Sequence, residues 1–230
     1  MSPNPFTSFM IDLGLLYWFE IMVQALPAKD ITLDELTEKF GLELVEDEQF
    51  FREWRDDLHE FSEDEQRRLD RVKASYSNLL GDPPLLENTV KMIVLSPLLD
   101  LAGFYLPPFR IKSEQSIIIA LENEEVLIKG QIDVLAIFNQ FWVVVIESKQ
   151  AAFSLEVGRP QVLTYMLTNP HLERVTYGLI LNGSSFRFLK LLKGEIAQYS
   201  MSRVFDLFNP GNDLYQVLGV LKRLASLGLG

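Results

Sequence analysis

Three ionisable side chains fall where chemistry can be built from them. Asp133 lies in "GQIDVLAIF", and Glu147 and Lys149 close the segment "FWVVVIESK". The apolar run from Phe141 to Ile146 reads as a strand buried on both faces. Charges are costly to bury, so a glutamate and a lysine two residues apart at the end of such a strand call for a reason. Side chains alternate along a strand, so Glu147 and Lys149 project from one face. A two-residue loop at Asn139–Gln140 would set Asp133 against Ile146 and point it away from Glu147. A three- or five-residue loop sets Asp133 opposite Glu147. We expect the second register. Carboxylates facing each other about 5 Å apart at Cβ repel unless a cation relieves them, and this register makes a cation site. A hard divalent ion, Mg²⁺ (or Mn²⁺), prefers oxygen ligands, and the Ser148 carbonyl is a third donor beside Asp133 and Glu147. Such an ion stabilises charge on a phosphoryl oxygen and activates water, with Lys149 in reach of both. The chemistry expected is phosphodiester hydrolysis.

The elements that position these residues are legible along the chain. "QSIIIAL", "EVLIKGQIDVLAIF" and "FWVVVIESK" read as strands, and "GRPQVLTYMLTNP" as a helix ended by Pro170. "VTYGLILNG", "FRFLKLL" and "QYSMS" are further strand candidates, and "LYQVLGVLKRLASL" closes the chain as a helix. Before them, "ENTVKMIVLSPLLDLAGF" reads as a helix interrupted at Pro97. Residues 1–80 read as an acidic helical extension, in which "TLDE" from Thr32 and "SEDE" from Ser62 have capping-box spacing. "GDPPLL", residues 81–86, separates this extension from a core over 81–230. The fold class is α/β (α+β), with a mixed central sheet flanked by helices.

Composition sets limits. The 230 residues contain no Cys and two His, His59 and His171, which excludes disulfides, thiolate catalysis and zinc–thiolate sites. The net charge of −11 argues against a nucleic-acid partner until its distribution is considered. Residues 30–70 hold 16 of the 32 acidic residues and 5 of the 21 basic ones, so the rest of the chain is neutral. That remainder has room for local positive patches facing phosphates. The stretch "FMIDLGLLYWFEIMVQALP" lacks a basic flank, and Asp12, Glu20 and Gln24 interrupt it. It is therefore neither a signal peptide nor a good membrane span, but an amphipathic helix for packing or dimerisation. The expectation is a cytoplasmic protein with no membrane contact.

Asp133 followed by Glu147-Ser148-Lys149 resembles the D…(D/E)xK signature of the PD-(D/E)xK nuclease superfamily. Gly130-Gln131-Ile132-Asp133 is similar to the GxxD form of RecB-like members, with Ile132 where the signature has proline. Gln161 to Tyr165 is similar to their QxxxY motif, whose two ends share a helix face. Glu87 matches an acidic residue on the helix before the first strand. Over residues 85–225, spacing and element order resemble the nuclease domain of type I restriction enzyme R subunits. The resemblance implies a restriction-endonuclease-like core and a Mg²⁺-dependent deoxyribonuclease. It assigns Asp133, Glu147, Lys149 and Gln161 to catalysis. Asp133, Glu147 and Glu87 would hold the metal, joined by the Ser148 carbonyl that the strand geometry offers, and Tyr165 would support the site and touch substrate. No GxxxxGK[ST] occurs, so a motor, or a methylase, would act in trans.

Lys91, Arg159, Arg187, Lys190 and Lys193 are phosphate-contact candidates on substrate, with general solubility as the plain alternative. Trp142, Phe186 and Phe188 read as core packing. The competing functional reading is a non-catalytic nuclease-fold module that binds DNA or protein, acting through the acidic segment.

Overall fold

The computed structural model describes residues 24–58, 60–81, 85–120, 126–138, 141–150, 154–171 and 175–228. The protein is mixed α/β, with one mixed sheet flanked by helices. Its strands are β1 (Gln24–Pro27), β2 (Glu43–Leu44), β3 (Phe109–Ala120), β4 (Val126–Phe138), β5 (Phe141–Ser148), β6 (Val175–Leu181), β7 (Ser185–Lys193), β8 (Ala197–Met201) and β9 (Phe205–Asp206). They run in the order β1-β4-β5-β6-β7-β8-β2, with β3 also paired to β4 and β9 to β7. Since β3 takes one edge of β4, β1 and β5 share the other.

The helices are α1 (Leu33–Phe40), α2 (Glu63–Leu79), α3 (Glu87–Val90), α4 (Ser96–Leu101), α5 (Leu155–Leu167) and α6 (Leu214–Gly228). Between α3 and α4 the chain makes a π-helical turn, Lys91–Leu95. The cause is Pro97, which has no N–H and whose ring crowds the carbonyl four residues back. The turn widens, and the Ser96 N–H reaches back to the Lys91 carbonyl. The proline that reads as an interruption therefore leaves the helical run unbroken. Both expected capping boxes form: Thr32 with Glu35 at α1, and Ser62 with Glu65 at α2.

Both faces of the sheet are covered. On one face Ala136, Val144, Ile146, Leu179, Phe186 and Phe188 pack with Val72, Leu98, Leu218 and Leu221. On the other, Leu135, Val145, Ile180, Leu189 and Leu191 pack with Leu36, Val162 and Met166. The alternation of Val144, Val145 and Ile146 between two cores explains why β5 is apolar at successive positions.

Residues 24–80 do not form a separate helical extension. β1 lies parallel to β4, β2 lies parallel to β8, and α2 packs into the first core through Leu69, Val72 and Tyr76. Gln24–Pro27, read as the end of an apolar helix, is a strand because the edge of β4 is open there, before β5 begins. The rest of that apolar stretch lies outside the described residues, and with it the basis for a homodimer. Among the described residues no helix is long and apolar enough to cross a membrane.

Replacing Ser62 with Ala removes the side chain that accepts from the Glu65 N–H. The loss should be about 1 kcal/mol of unfolding free energy, measured by denaturant titration at constant m-value.

Candidate active site

The hairpin β4–β5 decides where Asp133 goes. Phe138 pairs with Phe141 and Ile137 with Trp142, which leaves two residues between the strands. With that spacing alone, Asp133 would oppose Ile146. A β-bulge then intervenes: Ala136 pairs with Val144, Leu135 with Val145 and Val134 with Ile146. Val143 is the extra residue, and continuing the register sets Asp133 opposite Glu147. The observed pairs stop at Val134–Ile146, so the register agrees with the expected facing without pairing the two acids, and the expected three- or five-residue loop is not present. The bulge supplies the missing residue.

A second irregularity lies on the other edge. Ile132 and Leu135 enter the same core although they are an odd number of residues apart, so the alternation of β4 is interrupted somewhere between them. In β3, Glu114 sits at φ 53 between residues paired to Val134 and Ile132. That left-handed backbone is uncommon for a residue with a Cβ and stores local strain. Its carbonyl accepts from Gln131 Nε2 at 3.1 Å.

Five charged groups converge around Asp133. The Lys91 Nζ lies 2.8 Å from Asp133 Oδ1 and 2.6 Å from Glu87 Oε1. The Ser148 N–H donates to Asp133 Oδ2 at 2.7 Å. Lys149 Nζ donates to Glu147 Oε1 at 2.7 Å and to Gln161 Oε1 at 2.6 Å. Gln161 Nε2 donates in turn to the Tyr165 hydroxyl at 2.7 Å. Glu147, 3% exposed, keeps Oε2 buried with no hydrogen-bond partner. The Ser148 Oγ is likewise buried and unpartnered.

The electrostatics follow from burial. Desolvation, reinforced by Asp133, pushes the Glu147 carboxyl up to about 8 against the pull of Lys149. Desolvation also raises Asp133, although Lys91 and the Ser148 N–H work in the opposite direction. Burial opposes the charge on Lys91, but its bonds to Asp133 and Glu87 win, and its pKa rises. Tyr165 is pushed up to about 12, by burial first and the nearby Glu147 second.

Two glycines make the packing around the site achievable. A Cβ on Gly130 would fall 2.7 Å from Tyr165 Cε1 and 2.7 Å from Ala28 Cβ. The first residue of the GxxD stretch is thus small because the tyrosine of the QxxxY stretch lies against it. A Cβ on Gly158 would meet Ile180 at 3.0 Å and the Lys149 stem at 3.4 Å, so α5 approaches the lysine closely there. Helix α5 starts earlier than the sequence pattern suggests, at Leu155, because Ser154 caps it through the Glu156 N–H.

The other candidates are placed differently. Tyr165 is 1% exposed, so it supports Gln161 from inside instead of facing a substrate. Arg159 is tied to Glu156 at 3.1 Å and reaches the Met201 sulfur at 3.7 Å, away from the carboxylates. Arg187 also pairs with Glu156. Lys190 bonds Glu53 and the Phe50 carbonyl, and Lys193 the Leu167 carbonyl. Lys91, expected on substrate, is spent on Glu87 and Asp133. Phe186 and Phe188 are fully buried, as their pattern suggests. Sequence reasoning missed Glu114, the bulge and the two close approaches. It also missed the Glu87–Lys91 pair, although the i,i+4 spacing is a readable signal for it.

Beside the carboxylates a groove of about 480 Å³ opens, lined in part by Lys91, Tyr105, Ser113 and Asp133. Compared with known proteins, the chain matches no family model and no curated protein.

Because Glu147 takes up its proton more readily when folded, its contribution to stability is full below about pH 4.5 and is lost as pH rises toward 8. Glu147→Gln stays neutral and still accepts from Lys149. Its melting temperature relative to wild type, in chelator, should therefore climb between pH 5 and pH 8. Parallel curves would show that Glu147 is not buried in this way.

Proposed function

We propose that the protein is a Mg²⁺-dependent deoxyribonuclease with a restriction-endonuclease-like core. One observation carries the reading: Asp133 takes the Ser148 N–H right beside the buried Glu147, and two carboxylates so close are costly unless a cation shares them.

The donor set suits a hard cation. Glu147 Oε2 is a buried oxygen without a partner, Asp133 is close to Glu147, and Glu87 is linked to Asp133 through one ammonium. Among the described residues no three His, Cys, Asp or Glu side chains form a ready metal-ligating group, and the Lys91 ammonium is paired with both Glu87 and Asp133. Asp133, Glu147 and Glu87 would hold Mg²⁺ (or Mn²⁺), with the Ser148 carbonyl as a further donor. The ion would supply Lewis acidity toward a phosphoryl oxygen and neutralise the charge developing there.

The remaining work falls to the chain. Lys149 has three N–H donors, of which Glu147 and Gln161 take two, so one is left for a phosphate oxygen or the attacking water. Gln161 must present its oxygen to Lys149 because its NH₂ is engaged by Tyr165. The buried tyrosine thus fixes the amide, the amide fixes the lysine, and the lysine is held at the carboxylate edge. This chain of contacts gives the QxxxY spacing a physical reason that does not depend on the family resemblance.

A second reading has its own support. Lys91 and Lys149 already neutralise most of the carboxylate charge, as a metal-free binding module of the same architecture would require.

Incubation with single- and double-stranded DNA separates the two. With Mg²⁺ or Mn²⁺ the wild-type protein should cleave at least one form, and chelator should stop it. Asp133→Asn and Glu147→Gln should reduce the rate by about 10²-fold or more, and Lys149→Met by about 10²–10⁴-fold, with folding intact by circular dichroism. Intact DNA in every metal would leave the binding module as the surviving reading.

A further inference from the structure

Lys91 sits where its chemistry is least expected in a cation site. Its ammonium bridges Glu87 Oε1 at 2.6 Å and Asp133 Oδ1 at 2.8 Å, so it occupies the space between two of the three carboxylates. A lysine ammonium and a divalent ion are alternative positive charges for that space. Both cannot be held there, because the two cations would repel at contact distance inside a partly buried site. The ammonium is also the weaker neutraliser, carrying one charge for a cluster that has three acids and one other lysine.

The surroundings allow the ammonium to leave. Lys91 opens the π turn, a widened and less regular piece of helix. Its side chain is 22% exposed. It also lines the groove beside Asp133, where Asn88, Ser96, Tyr105 and Ser113 offer polar atoms and solvent.

We propose that Lys91 is a resident counter-ion that holds Glu87 and Asp133 together in the metal-free protein, and that a divalent cation displaces it into the groove. Metal loading then does two things at once: it fills the carboxylate site and presents a free ammonium to the adjoining surface. The apparent metal affinity is reduced by the fraction of time the ammonium occupies the site. This inference rests on the metal-site reading above and adds to it a gate made by the chain itself.

Calorimetric titration of Mn²⁺ into the full chain tests the gate without reference to cleavage. Lys91→Met should bind Mn²⁺ at least about tenfold more tightly than wild type. Its melting temperature should fall in chelator, where Glu87 and Asp133 are left to repel, and should rise more with Mn²⁺ than that of wild type. Lys73→Met makes the same charge change where the lysine bonds the Gly211 carbonyl, and should leave the affinity as in wild type. Equal Mn²⁺ affinity in Lys91→Met and wild type overturns the gate while the metal site stands. Equal gains in both lysine variants also overturn it, since the effect is then net charge alone. Absence of binding in all three overturns the metal site and the gate together. Should Lys91→Met fail to fold, Lys91→Gln carries the same expectations with a neutral hydrogen-bonding side chain.

Discussion

The site depends on a cost that the fold does not remove: two carboxylates taken out of water and brought close together. Burial alone raises the energy of each ionised form, and proximity raises it again. The protein meets this with two ammonium groups, one backbone N–H and a raised proton affinity at Glu147. Every nearby feature reads as a consequence. The Lys149 stem lies over Gly158 because the ammonium must reach Glu147 from α5's side. Gln161 lies where a second acceptor for that ammonium is needed, and Tyr165 lies where the amide needs anchoring.

The sheet provides the rigidity for this. β5 is apolar on both faces and is clamped between two cores, so its C-terminal end is held at a fixed height above α5. Charged groups at the end of so buried a strand have little freedom to separate. The two cores thereby convert ordinary apolar packing into positional constraint on Glu147 and Lys149.

Much of this was legible in the sequence, for identifiable reasons. The strands from β3 to β8 announce themselves by apolar runs bounded by turn residues, and the capping boxes at Thr32 and Ser62 are local motifs whose geometry needs no partner. The pairing of Glu147 with Lys149 follows from strand alternation, whereas Asp133 joins them only through a choice of hairpin register and Gln161 only through the resemblance to the QxxxY motif. What was hidden is non-local. Gln24–Pro27 becomes a strand because an edge of β4 is vacant, which no window of sequence around it reveals. The basic residues Arg187, Lys190 and Lys193 read as phosphate contacts or plain solubility, yet each finds a partner from a distant segment, and Arg159 pairs within its own helix with Glu156. The one-residue offset between β4 and β5 is read from the sequence as a longer loop; the bulge at Val143 that carries it leaves no signature in a run of valines.

That bulge makes the length of the hairpin part of its meaning. Dropping one residue from β5 while lengthening the connection by one would leave Asp133 facing Glu147. A residue lost from β5 beyond the bulge, with nothing regained, would instead slide β5 one place along β4 and take Glu147 out of line with Asp133, with every side chain of the signature intact. Related chains can therefore differ in where the additional residue is carried and still share the arrangement. A chain with all the right letters but an uncompensated single insertion would not.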